Sequence, residues 1–307
     1  MTTQTRESTI RTRSPALAGE VVLAYLDTQA ARLNVLDQAV RRDQPDAVHQ
    51  MRVTVRRLRS TLQSFTGIVP EPDTRHLRAE LKWLGGLLGD ARDTEVLADY
   101  LHAGLTAEPT ELVLGPAQAR VTAYFAPLEA SSRGAVLAAL DSERYRALRA
   151  EIGRLLDSPP LTPEAGEPAG NVLPLAVGRA YRRTNRRMRR ARHAPAGQAR
   201  DTALHEARKA AKRTRYAAEA ARPALGNNAR RFTRSLKHVQ SALGAHHDAV
   251  VARGVAREIG VRAHLAGENA FSFGLLNERA HHEALASEMR AHQAWRRARA
   301  KADWLAK

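Results

Sequence analysis

The sequence predicts an all-α protein: two pseudo-symmetric four-helix bundles from an internal duplication, with long helices and a basic channel between or across the halves. Three observations predict it. Hydrophobic residues make up 43% of the 307-residue chain but aromatics only 5%. With Ala, Leu and Arg abundant, that mixture suits helices packed through Ala and Leu better than a sheet built on aromatic and β-branched residues. A helical segment of roughly ninety residues occurs twice. The formal charge of +17 gathers at the same offsets in both copies.

The elements follow in chain order. Residues 1–14 read as a flexible N-terminus. Glu20 interrupts the only apolar run near the start, so no signal peptide is expected. No stretch approaches the ~18 apolar residues that span a bilayer. A soluble, cytoplasmic protein is expected. The first half covers 15–157. In it, Pro70 and Pro72 are expected to end the second helix, and Pro109 and Pro116 open a further helical part over 111–157. A Pro-, Gly- and Ala-rich stretch over 158–170 has no apolar period and reads as a linker. The second half covers 171–302, where Pro223 and Gly226 are expected to end the matching helix.

The duplication is legible residue by residue. His49 to Arg59 (HQMRVTVRRLR) reappears as His205 to Arg215 (HEARKAAKRTR), and Leu81 to Asp93 reappears as Leu236 to Asp248 with the offset shortened by one. A loop between the second and third helices would absorb that indel. Within the first segment, Arg52, Arg56 and Arg59 fall within about 80° of His49 on a helical wheel. Met51, Val55, Leu58, Leu62 and Phe65 fall on an adjoining arc that must face a core. The basic stripe thus borders the buried face instead of lying opposite it, where an ordinary solvated face would be. In the second copy His205, Arg208, Lys212 and Arg215 share one side, beside Leu204, Ala207, Ala211 and Ala218. No acid lies between His49 and Phe65. An external anion would stop the clustered cations repelling one another.

Other basic residues add to the candidate set. Arg57, Arg213 and Lys209 lie in the same two segments, and Lys82 and Lys237 match between copies on the helix expected beside each stripe. Arg182, Arg186 and Arg189 could share one side of an Arg-rich helix. Arg suits bidentate phosphate contacts, and Lys acts as a mobile point charge.

At these residues the sequence resembles the CHAD family, the conserved histidine α-helical domain. The pattern is His followed by spaced Arg and Lys, at His49 through Arg59 and again at His205 through Arg215, each followed by L-K-x-L/V…L-G-x-x-x-D; Phe271 to Leu285 looks like the family as well. The resemblance implies paired four-helix bundles about a pseudo-two-fold axis, with a basic pocket that binds inorganic polyphosphate. It also implies association with polyphosphate granules. Family members often carry a fused triphosphate tunnel domain. No E-x-E-x-K signature stands at this N-terminus, so a stand-alone member is expected. The halves differ where His246-His247 replaces Ala91-Arg92.

No enzyme pattern accompanies the stripes. The chain has no cysteine, which excludes disulfides, thiol nucleophiles and Cys-ligated metals. It has no P-loop, dinucleotide-binding Gly pattern or G-x-S-x-G elbow. Gly85, Gly86 and Gly89 lie in a helical pattern and are expected to permit close packing. The adjacent pairs His246-His247 and His281-His282 point to different helix faces, which disfavours a metal site. The expectation is a binding protein with no catalytic residue, cofactor or metal. Nucleic acid is the rival polyanion, with general polyanion binding at the nucleoid or a granule surface as its broader form.

Overall fold

The structure is a computed structural model that describes residues 16–305; the expected flexible N-terminus lies outside them. Nine α-helices account for most of the described residues: α1 (Ala18–Arg41), α2 (Ala47–Ser64), α3 (Glu71–Thr106), α4 (Ala117–Asp141), α5 (Glu143–Asp157), α6 (Ala169–His193), α7 (Gln198–Ala220), α8 (Arg222–Leu265) and α9 (Phe271–Arg299). Among the described residues the one β-type pairing is an isolated bridge between Leu17 and Pro168. The halves present their helices in the same order, α1 to α4 and α6 to α9. Helix α5 has no counterpart; Ser142 caps it by accepting a hydrogen bond from the Tyr145 N–H at 3.2 Å.

The prolines act differently from expectation. Helix α2 stops at Ser64, and Pro70 and Pro72 begin α3. A proline suits a first helical turn, where its missing N–H costs nothing and its fixed φ is already helical. Pro223 likewise sits in the first turn of α8, three residues past the end of α7. Gly226, at φ 56°, then breaks the α8 backbone, a conformation a side chain would strain.

The apolar stripes read from sequence are buried: Met51, Val55, Leu58, Leu62 and Phe65 on α2, and Leu204, Ala207, Ala211 and Ala218 on α7. They belong to one large core fed by both halves, including the first parts of α3 and α8. A second, smaller core joins the far ends of the α3–α4 and α8–α9 hairpins through Leu101, Leu105, Phe125, Ile259, Phe273 and Leu276. The interior therefore divides across the halves instead of between them. Polar contacts tie the hairpin ends together. The Leu114 N–H donates to the Ser272 hydroxyl at 2.8 Å, Tyr124 donates to Glu258 at 2.9 Å, and Arg120 pairs with Glu268.

The connector over 158–170 is pinned along its length. Thr162 N–H donates to the Ile68 carbonyl at 3.1 Å, and Ala18 N–H to the Glu167 carbonyl at 2.9 Å. Ala165 is buried against Gly19, where a Cβ would stand 3.0 Å from it. This strap fixes α6 beside α1 and so sets how the halves meet.

The two cores predict separable failures. Leu276→Ala should cost about 2–5 kcal/mol through lost burial and a residual cavity. Amide exchange should then rise at 97–125 and 252–280 before it rises in α2 and α7. A uniform rise along the chain would show that the cores are one cooperative unit.

Candidate anion-binding site at the crossing of two helices

Helices α2 and α7 pack against each other where the halves meet, flanked by α3 and α8. The basic stripes border the buried faces of these two helices, so packing the faces brings the stripes together. Arg52 is buried, while Arg56, Arg208 and Lys212 are partly buried. Burial, and then the neighbouring cations, disfavour the charged forms of Arg56, Arg208 and Lys212. Burial, followed by the Arg52 charge, lowers Arg56 to about 10. Burial, followed by the charges of Arg208, Arg56 and Arg52, lowers Lys212 to about 6. Burial also lowers Arg208, against the pull of Asp248 and Asp93.

The third helix of each half holds the central arginine in place. Arg52 makes a bidentate contact with Asp93 at 2.7 and 3.1 Å, and its guanidinium lies over Gly89, where a Cβ would stand 3.4 Å from Nη2. In the second half Arg208 lies over Gly244 in the same manner, with Asp248 as the nearby carboxylate. The L-G-x-x-x-D pattern thus has a physical reading. Glycine opens a seat for the guanidinium, and the aspartate one turn on steadies it. Burial opposes ionisation of Asp93, but the Arg52 hydrogen bond and charge hold its carboxyl below the usual range. Burial raises Asp248.

The site's ends differ between halves. His49 is lowered by burial and lies near Arg92, Arg52 and Arg56. At the equivalent place His205 and His247 stand ring to ring, with Nδ1 atoms 3.3 Å apart and centroids 4.5 Å apart. Burial and Arg208 hold His247 down at about 4. His246 is buried beneath them, with Nε2 3.3 Å from Asp201. The histidine pair is therefore asymmetric chemistry on a symmetric frame.

A family model described as the CHAD domain matches residues 24–257. The chain belongs to the CHAD domain family. Two proteins of Mycobacterium tuberculosis, both called uncharacterized, are 35% identical over 265 residues, which is 85% of this chain and 50% of theirs. The chain thus spans about half the length of the curated relatives it matches. Among solved structures, the CHAD domain from the plant Ricinus communis covers 98% of this chain at 26% identity and TM-score 0.69, with 96% of its own length matched. PptA from Streptomyces chartreusis shares the fold at TM-score 0.76 and 23% identity, over 92% of this chain and 100% of its own.

Several expected site residues of this CHAD domain lie elsewhere or are otherwise engaged. Arg57 points away from the stripe and pairs with Glu219 at 2.7 Å, a carboxylate that also accepts from Tyr25. Lys209 is exposed and pairs with Glu206. Arg215 lies over the Tyr216 ring, 4.9 Å from its centroid. Lys82 and Lys237 are exposed, within about 20° of Gly89 and Gly244 on their helices, and so extend the site along α3 and α8. Arg59 and Arg213 form a second basic group with Arg78 and Arg183; burial lowers Arg59 and Arg213, and the neighbouring arginines lower them further.

Arg182, Arg186 and Arg189 share one side of α6, as expected, and it is the side opposite the buried row. All three are exposed, and Arg189 lines a groove against α9. The α6 residues that face α7 are Arg183, which acts on Arg213, and Arg187, which acts on Glu206. Those positions border the buried row Ala180, Thr184, Met188 and Ala191 on its α7 side. The edge-of-core rule that selected the α2 stripe selects them too; the all-basic sequence of α6 hid the phase. Arg78 has no basic match in the second copy and gave no repeat signal.

Lys212 is costly to bury. The unfolded chain holds its Lys212 proton up to about pH 10.5, and the folded chain only below about 6. Between these values the unfolded state carries the extra proton, so stability from this group rises with pH. Lys212→Met should therefore raise urea stability at pH 7 by on the order of a few kcal/mol, with the gain shrinking toward pH 10.5. A variant no more stable than the parent at pH 7 would show that the lysine stays charged in the folded protein.

Proposed function

We propose that this protein binds inorganic polyphosphate, without converting it, at the crossing of α2 and α7. The observation that carries the reading is the composition of that crossing. Arg52, Arg56, Arg208 and Lys212 come from both halves into one partly desolvated cluster, against the carboxylates Asp93 and Asp248. Desolvation strengthens each contact to a phosphate oxygen, and guanidinium forks match phosphate in a bidentate way. A flexible, base-free chain of phosphates can follow side chains seated between helices. Membership of the CHAD family supports this ligand over other polyanions.

The site works as a set of fixed counter-charges. Gly89 and Asp93 hold Arg52 before the ligand arrives, so little side-chain order is lost on binding. Phosphate beside Lys212 would oppose the burial and the cationic neighbours that lower it, and so favour its charged form. Arg59, Arg213, Arg78 and Arg183 continue the basic surface beyond the crossing. No described helix is long and apolar enough to cross a membrane. A place in the cytoplasm or on polyphosphate granules fits this reading.

Arg56→Gln with Lys212→Gln should weaken binding of long-chain polyphosphate by about 100-fold or more, taking ~1.5 kcal/mol or more for each charge-assisted contact. Calorimetry measures it, and unchanged affinity would sink the assignment. In the parent protein log affinity should fall with log salt by about one unit per phosphate contact. Competition at fixed salt separates the rival: duplex DNA that displaces polyphosphate at equal phosphate concentration would favour the nucleic-acid reading. Polyphosphate incubated with the protein should release no inorganic phosphate.

A further inference from the structure

The groove between α6 and α9 is cationic and lies on the flank of α6 away from the crossing. Arg183 and Arg187 face α7, while Asn185, Arg189 and Arg192 line the α9 side, roughly half a helical turn round. Across the groove α9 contributes Arg296 and Arg299. Among the described residues none of the four groove arginines pairs with a carboxylate, although ion pairs are common elsewhere on the surface. Glu288, next to Met289 on α9, is already shared by Arg200 at 3.4 Å and His292 at 3.7 Å.

The floor differs in kind from the walls. Met188 and Trp295 form it, both buried, and Trp295 is fixed against Tyr181 at a centroid distance of 5.8 Å. Met289 lines the groove and is 69% exposed. The buried amide oxygen of Asn185 has no hydrogen-bond partner. The cavity holds about 450 Å³, within the range of roughly 300–1,000 Å³ typical of small-molecule sites.

We propose that the α6–α9 groove is a second anion site, separate from the crossing, that takes a nucleoside di- or triphosphate. Each part of the groove has a matching part in that ligand class. Guanidinium groups on both walls suit the phosphates. The two methionines and the edge of Trp295 suit a flat, polarisable ring, for which sulfur contacts are favourable. The Asn185 amide NH2 suits an acceptor on a base, as such amides do in nucleic-acid readout. A bare phosphate chain would use the walls and leave the floor idle.

The test titrates ATP, with tripolyphosphate as the base-free control, into full-length protein carrying Arg56→Gln and Lys212→Gln to silence the crossing. ATP should bind this background at least about tenfold more tightly than tripolyphosphate. Adding Arg192→Gln with Arg296→Gln should cost ATP affinity about 100-fold, at roughly tenfold for each lost charged contact. Met289→Glu, at an exposed position that leaves packing alone, should also weaken ATP by placing a carboxylate in the groove. In the otherwise unaltered chain, Arg192→Gln with Arg296→Gln should leave long-chain polyphosphate binding in place. ATP affinity unmoved by these groove substitutions, or tripolyphosphate binding the background as tightly as ATP, would overturn the proposal. Because the background already lacks the crossing, failure here says nothing against polyphosphate at that site, and failure there leaves this result standing.

Discussion

Like charges do not gather in a partly buried place unless something else holds them, and that constraint organises this protein. The apolar stripes of α2 and α7 supply the hold. Each buries a row of side chains in a core common to both halves, and each carries its cations on the rim of that row. Packing energy thus sets the position of charge. The glycine seats at Gly89 and Gly244 refine it, letting α3 and α8 approach until a guanidinium lies flat on backbone. Asp93 and Asp248 limit the repulsion without cancelling it. A cluster built this way is held short of charge balance.

The shared core has a second effect. Since the apolar interior is not divided between the halves, the crossing cannot loosen by one half swinging free of the other. The strap over 158–170, pinned to α1 and to the turn before α3, closes the same joint from outside. Rigidity of this kind preorganises arginines, which otherwise lose much rotamer freedom on binding. The asymmetries sit where packing is least demanding. The His205–His247 contact and the Arg78 group lie at the edges of the crossing, where the halves are free to differ.

Much of this was legible in the sequence, and for physical reasons. The helical periodicity and the placement of His49, Arg52, Arg56, His205, Arg208 and Lys212 beside apolar arcs follow from local spacing, which one helix determines by itself. What was hidden depends on which neighbour each face meets. On α6, basic residues cover the whole circumference, so charge gave no phase, and nothing local showed that Arg182, Arg186 and Arg189 share an exposed side while Arg183 and Arg187 meet α7. Arg57 looked like its neighbours but meets Glu219, 162 positions away. The role of Gly89 was half visible: close packing was expected, but its occupant, an arginine side chain, was not. The prolines marked boundaries correctly yet served as helix starts.

Helices α3 and α8 are long enough to belong to two cores at once. At ~1.5 Å per residue, the 36 residues of α3 run about 54 Å. Near the middle they carry Gly89 and Asp93, and at the far end they are clamped to the opposite hairpin through Leu101 and Leu105. Each is therefore a beam held at two places, in the shared core and at a tip locked to the tip of its counterpart. The spacing of Asp93 and Asp248 is set from both ends of these two helices at once.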